Sequence, residues 1–239
     1  PGSCFKVLST YAPGLNECGM TLATTIKDEP YRYASGQPVN NWDNKYIGSA
    51  RVRYAIEHSM NVCAVRTLTE TVGLEKGYKY LENFGFTTLV NNDPNYPGMS
   101  DIAQATALGG ITRGVYNIEM TAAYAAIANS GIYTEPLLYT EILDHDGNVL
   151  IDNSKPITRR VLKESTAFLL TSAMQDVINR GTGTPARLNN MPAAGKTGTT
   201  ENSTDLWLSA YTPYYTCSVW TGYDEDKTLE QFWNQSWHE

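Results

Sequence analysis

The sequence predicts an α+β fold on two observations: helix-period segments fill its middle, and three strand-like runs joined by short turns crowd into its last third. A third observation narrows the choice. Strands do not alternate with helices along the chain, which argues against a parallel α/β fold and for an antiparallel sheet flanked by helices.

Each element has its own justification. Residues 3–11 (SCFKVLSTY) suit a helix that opens just after Gly2 and stops at Pro13-Gly14. Residues 28–46 are rich in Pro, Gly, Asn and aromatics and predict a long irregular loop of the kind that rims a binding surface. Helices are expected over 49–58, 62–72 and 74–84, the last with Leu74, Tyr78 and Leu81 on one face and Gly85 as its stop. Residues 91–101 (NNDPNYPGMSD) read as turns. Helical patterns resume at 102–108 and at 118–129, the second ended by Ser130-Gly131. Residues 139–143 and 149–152 flank Asp146-Gly147, a hairpin signal. A long amphipathic helix follows at 163–179, stopped by Gly181-Thr182-Gly183. The closing strands are 193–200 (AAGKTGTT), 206–212 (LWLSAYT) and 214–223 (YYTCSVWTGY).

The balance is 41% hydrophobic and 18% charged residues, that of a globular chain of one large domain or two small ones. A formal charge of −7 disfavours nucleic acid or an anionic membrane surface as the main partner. No segment approaches the ~20 apolar residues of a membrane span. The chain opens at Pro1-Gly2 without an initiator Met, so it reads as a piece of something longer. Cys4, Cys18, Cys63 and Cys217 show no CxxC spacing and are too sparse for a disulfide framework; they read as small thiols.

Three short patterns carry chemistry: Ser3-Cys4-Phe5-Lys6, Ser59-Met60-Asn61 and Lys196-Thr197-Gly198. Residues three apart on a helix share a face, so Lys6 sits one turn beyond Ser3. A serine hydroxyl is a poor nucleophile until a base takes its proton, and a desolvated lysine of lowered pKa can serve. Free N–H groups at the helix start favour negative charge developing at Ser3. Ser59 and Asn61 supply a hydroxyl and an amide in the gap between two helices. On a strand, Lys196 and Gly198 face one way, Thr197 and Thr199 the other. The cation and hydroxyls together suit a carboxylate, and Gly198 lets a ligand backbone come close. Alone, each pattern reads as easily as a capping serine, a turn asparagine or a solvated lysine. A phosphate loop is rejected, because position 190, where it needs glycine, is Asn and a strand follows.

In this order, the three patterns resemble the active site of penicillin-recognising serine enzymes. The flanking text is similar to the transpeptidase domain of class A (bifunctional) penicillin-binding proteins. The matching stretches are PGSCFK at 1–6, SMNVCAV at 59–65, ALGGITRGVYNIEMTAAYAAIANSGIYTEP at 107–136, INRGTGTPA at 178–186, AGKTGTTENSTDLWLSAYTP at 194–213 and VWTGYD at 219–224. The resemblance implies a β-lactamase/transpeptidase-like fold, with a helical subdomain, over residues 1–239. It implies a peptidoglycan D,D-transpeptidase of the bacterial cell envelope, on the outer face of the cytoplasmic membrane, inhibited by β-lactams, with no metal and no cofactor.

By the same resemblance, Ser3 attacks the carbonyl between the last two D-alanines of a stem peptide and Lys6 takes its proton. Ser59 and Lys196 relay a proton to the departing D-alanine. Asn61 holds the substrate amide, Thr197 and Thr199 bind its carboxylate, and the N–H groups of Ser3 and Thr199 form an oxyanion hole. Donor and acceptor stem peptides are the implied partners, with membrane contact only through a missing N-terminal anchor.

Departures from the pattern are also legible. The family carries two strands before the SxxK helix, so three of five sheet strands are expected here and an open edge with them. Residues 225–239 match poorly; Phe232, Trp233 and Trp237 suit either a closing helix or an unstructured end. Competing members of the superfamily fit less well. A class A β-lactamase needs a glutamate four residues before an asparagine between the second and third motifs, and none from Glu70 to Glu164 meets it. A monofunctional transpeptidase or carboxypeptidase is closer, but Thr200 and the GGITRG segment favour the class A type. A non-catalytic antibiotic sensor calls for upstream transmembrane helices and a protease domain.

Overall fold

Helices and short two-stranded pairings share the first two thirds of the chain, and the main sheet is built from its last third. The computed structural model describes residues 1–225 and 227–229. After a helical entry at 2–11, the elements are α1 (Ala12–Glu17), β1 (Thr25–Asp28), β2 (Tyr31–Arg32), β3 (Pro38–Val39), β4 (Gly48–Arg51), α2 (Val52–Glu57), α3 (Asn61–Thr67) and α4 (Leu74–Asn83). There follow α5 (Asn117–Ala128), β5 (Ile132–Thr134), β6 (Glu141–Leu143), β7 (Val149–Asp152), β8 (Thr158–Arg160), α6 (Glu164–Arg180), β9 (Ala194–Thr199), β10 (Asp205–Tyr211) and β11 (Thr216–Gly222).

The main sheet is antiparallel in the order β11-β10-β9, as the three late runs predict. Its register sets Lys196 opposite Ser209 and Thr199 opposite Leu206. α6 packs against β9, while α5 packs against β10 and β11. Alanines at 122, 123 and 126 let α5 lie close, burying Met120 and Tyr124 in the core. The first helix runs through this core: Phe5, Leu8 and Tyr11 are fully buried, and the Tyr124 hydroxyl donates to the Cys4 carbonyl at 3.0 Å.

Several elements differ from expectation for physical reasons. The first helix does not stop at Pro13-Gly14. It opens as a 3₁₀ turn at Gly2–Cys4, widens to a π-type stretch at Lys6–Tyr11 and continues as α1 to Glu17. Proline lacks a donor and crowds the carbonyl one turn back, and the wide turn before Pro13 makes room for it. Residues 49–51 are strand rather than helix, because Ser49, Ala50 and Arg51 pair with Lys27, Ile26 and Thr25. A remote partner overrides the local preference. The pairing of β5 with β8 is equally long-range and carries no local signal. The helical pattern at 102–108 contracts to a 3₁₀ stretch, Gln104–Leu108. The hairpin around Asp146-Gly147 and the helices at 62–72, 74–84, 118–129 and 163–179 form with ends shifted by a few residues; the first ends in a π turn. Phe232, Trp233 and Trp237 lie outside the described residues.

Among the described residues no helix is long and apolar enough to cross a membrane.

Candidate active site

The three sequence patterns meet at one cleft of about 1520 Å³, walled by Ser3, Ser59, Asn61, Thr197 and Thr199. Ser59 is the meeting point. It sits between α2 and α3 in the left-handed conformation, at φ 53°, which a residue with a Cβ holds only where its surroundings impose it. That turn aims its hydroxyl at two lysines. Lys6 Nζ lies 3.1 Å from Ser59 Oγ and Lys196 Nζ donates to the same oxygen at 2.9 Å. Lys6 also donates to the Ser59 carbonyl at 2.6 Å and to Asn61 Oδ1 at 2.5 Å, and Lys196 to the Thr197 carbonyl at 2.9 Å. The Lys6 amine is therefore directed at the Ser59–Asn61 turn, while the Ser3 hydroxyl faces the open cleft.

Both lysines are essentially without solvent, at 0% and 1% exposed. Two ammonium ions so buried and so close repel, and neither has a carboxylate within ion-pairing distance among the described residues. Burial, then the charge of Lys196, holds the Lys6 pKa well below the ordinary lysine value. Burial alone lowers Lys196 to about 8. Burial thus disfavours the charged form of both amines, and Lys6 bears the repulsion of its neighbour as well.

Glycines close the site. Gly2 adopts φ 54°, and a Cβ there would meet the Thr199 backbone at 2.8–2.9 Å, so the turn carrying Ser3 lies directly against the end of β9. A Cβ on Gly198 would meet the Pro1 carbonyl at 2.6 Å and Cys4 Sγ at 3.0 Å. One close approach that Gly198 permits is that of the chain's own first turn. Thr197 and Thr199 do face the cleft, as the strand alternation predicts.

Sequence reasoning passed over several neighbours. Thr182, in the loop after α6, shares a hydrogen bond with Thr197 at 2.7 Å and tethers β9 to that loop. Its only sequence signal is the Gly-Thr-Gly turn at 181–183. Asn41, in the irregular loop, accepts from the backbone N–H groups of Asn61 and Val62 at 2.9 and 3.2 Å. The thiols nearest the lysines are inert: burial raises the Cys4 pKa and pushes Cys63 up to about 12. All four cysteines are free.

A hydroxyl nucleophile candidate, a buried amine of lowered pKa and a hydroxyl-lined strand on an α+β scaffold fit the class of penicillin-recognising enzymes. The chain belongs to the penicillin-binding protein transpeptidase family, whose domain description matches residues 1–232. It is 37% identical over 238 residues to penicillin-binding protein 1A of Clostridium acetobutylicum, covering 95% of this chain and 28% of that protein. It is 35% identical over 248 residues to penicillin-binding protein 1A of Streptococcus pneumoniae, covering 95% of this chain and 33% of that protein. The chain thus spans about a third or less of these relatives. Among solved structures, penicillin-binding protein 1A of Haemophilus influenzae superposes with a TM-score of 0.79 at 25% identity, covering 94% of this chain and 38% of that one. PonA1 of Mycobacterium tuberculosis, solved in complex with penicillin V, gives 0.81 at 25% identity, covering 95% and 61%. These relatives are of the class A type that the sequence motifs suggest.

Proposed function

We propose that residues 1–239 act as one transpeptidase domain that cross-links peptidoglycan stem peptides through an acyl-enzyme on Ser3, at the outer face of the bacterial cytoplasmic membrane. The observation that carries this reading is the convergence of two buried lysines on the Ser59 hydroxyl. With Lys6 neutral, its two N–H groups donate to the Ser59 carbonyl and Asn61 Oδ1, and its lone pair is left to take a proton from Ser3 and hand it on through Ser59. Lys196 donates to Ser59 Oγ and to the Thr197 carbonyl, leaving its third N–H for a substrate carboxylate. Such a chain can pass a proton either way.

In the proposed reaction, Lys6 takes the Ser3 proton as the serine oxygen bonds to the carbonyl between the last two D-alanines. The carbonyl oxygen, now negative, is held by the N–H groups of Ser3 and Thr199, a contribution of roughly 3 kcal/mol per donor in comparable sites. As the C–N bond breaks, the proton on Lys6 passes through Ser59 to the departing D-alanine nitrogen, with Lys196 keeping the relay polarised. Asn61 orients the substrate amide, and Thr197 and Thr199 take up its carboxylate beside the Lys196 charge. A second stem peptide's amine then attacks the ester, returning a proton to Ser3. A β-lactam would enter as the first substrate does and remain as an ester on Ser3.

Labelled penicillin tests the reading. The full-length protein should give one covalent adduct, mapped by mass spectrometry to the peptide holding Ser3, absent in Ser3→Ala and strongly slowed in Lys6→Ala. An adduct on another residue, or label persisting in Ser3→Ala, refutes the assignment.

A further inference from the structure

The loop at 28–46 holds a buried pair that the reaction scheme does not use. Asn41 is 4% exposed and Asp28 is 0% exposed. Asn41 Oδ1 accepts from the N–H groups of Asn61 and Val62, the first two residues of α3. Its Nδ2 donates to Asp28 Oδ1 at 2.8 Å and to the Lys45 carbonyl at 2.8 Å. The other carboxylate oxygen of Asp28 accepts from the Ile47 N–H at 2.8 Å. The backbone beside Asn41 takes part as well: the Asn40 carbonyl accepts from Asn61 Nδ2 at 2.8 Å.

Helix α3 has no side-chain cap of its own, because the residue before it is Met60. Asn41 fills that role from 20 residues away, satisfying N–H groups that would otherwise end unpaired near the lysines. Asn61 is thereby fixed at both ends. Its backbone is held by Asn41 and its Nδ2 by Asn40, which leaves Oδ1 pointing at Lys6. Asp28 in turn fixes which end of the Asn41 amide faces α3, since its carboxylate can only accept and so binds the NH₂ end.

We propose that Asp28 and Asn41 are positioning residues for the acylation step, setting the Asn61 amide against Lys6 through the remote cap on α3. This rests on the reading of Lys6 and Asn61 given above. The loop that rims the cleft is therefore wired into the base, not only draped beside it.

The test is a set of acylation rate constants measured with fluorescent penicillin on the full-length protein, alongside melting temperatures. Asn41→Ala should slow acylation about tenfold or more, the effect typical of a lost hydrogen bond to buried groups. In an Asn61→Ala background the same change should cost little further, because the group it positions is gone. A merely structural loss would slow both backgrounds equally, and that result overturns the proposal. Asn41→Asp should also slow acylation, since two carboxylates then face each other, while adding Asp28→Asn restores a donor between them and should recover part of the rate, the Lys45 carbonyl still lacking its donor. A double variant no faster than the slower single one overturns the proposal without relying on the alanine variant's folding. If Asn61→Ala itself acylates normally, the assignment of Asn61 fails instead, a separate outcome.

Discussion

Lys6 and Lys196 differ in what each must be at neutral pH, and their surroundings push them apart. Lys6 is lowered by burial and by its neighbour's charge; Lys196 is lowered by burial to about 8. The proposed acylation needs Lys6 neutral and Lys196 charged. As pH falls through the depressed value of Lys6, the base gains a proton and the rate drops. As pH rises through about 8, Lys196 loses its proton and the rate drops again. A bell-shaped profile is expected for acylation by fluorescent penicillin between roughly pH 5 and pH 10, with its alkaline inflection near the Lys196 value. A rate that keeps climbing across the alkaline range contradicts the assignment of Lys196 as the charged partner. Two like cations that share one hydroxyl cannot both be charged cheaply in a dry site, so the acid and the base are chosen by position rather than by residue type.

At the scale of elements, the site depends on how loops are pinned. Asp101 is 2% exposed and its carboxylate accepts from the Val90 N–H, the Thr112 N–H and the Thr112 hydroxyl, each at 2.8 Å. It thereby ties residues 101–112 to the body, and this segment carries Gly109, whose absent Cβ leaves room for the Gly2 backbone beside Ser3. Asp101→Ala strands these buried donors and is expected to cost roughly 3 kcal/mol of stability, measured by denaturant unfolding, with acylation falling as well. A loss below about 1 kcal/mol would show that water replaces the carboxylate. None of this was legible beforehand: 91–101 reads only as turns. What the sequence did show is local. Ser3 and Lys6 lie three apart, Ser59 and Asn61 two apart, and Lys196 to Thr199 run along one strand, so spacing alone reveals them. Asp28 with Asn41, Thr182 with Thr197 and β1 with β4 are joined only by the fold, and a single Asp or Asn in an irregular stretch has no periodicity to betray a remote partner.

At the scale of the molecule, the two outer strands of the sheet differ in how much apolar surface they show. β9 is buried along most of its length, covered by α6 and by the turn that bears Ser3. β11 is different. No described strand pairs with its far side, and Val219 and Trp220 remain 41% and 37% exposed. An antiparallel strand that shows apolar side chains at a sheet edge is a template for another chain, unless charge or a covering element blocks it. β11 carries no lysine, glutamate or proline in TCSVWTG to do so. The exposed Val219 and Trp220 should therefore draw the 239-residue chain into association, appearing in size-exclusion chromatography with light scattering as a concentration-dependent mixture above monomer mass. Val219→Lys sets an ammonium on the edge without touching the cleft and should shift that mixture toward monomer. The Ser3 side lies across the sheet, so the variant's acylation rate should not change. If Val219→Lys associates as strongly as the parent, the exposed surface of β11 is not the contact.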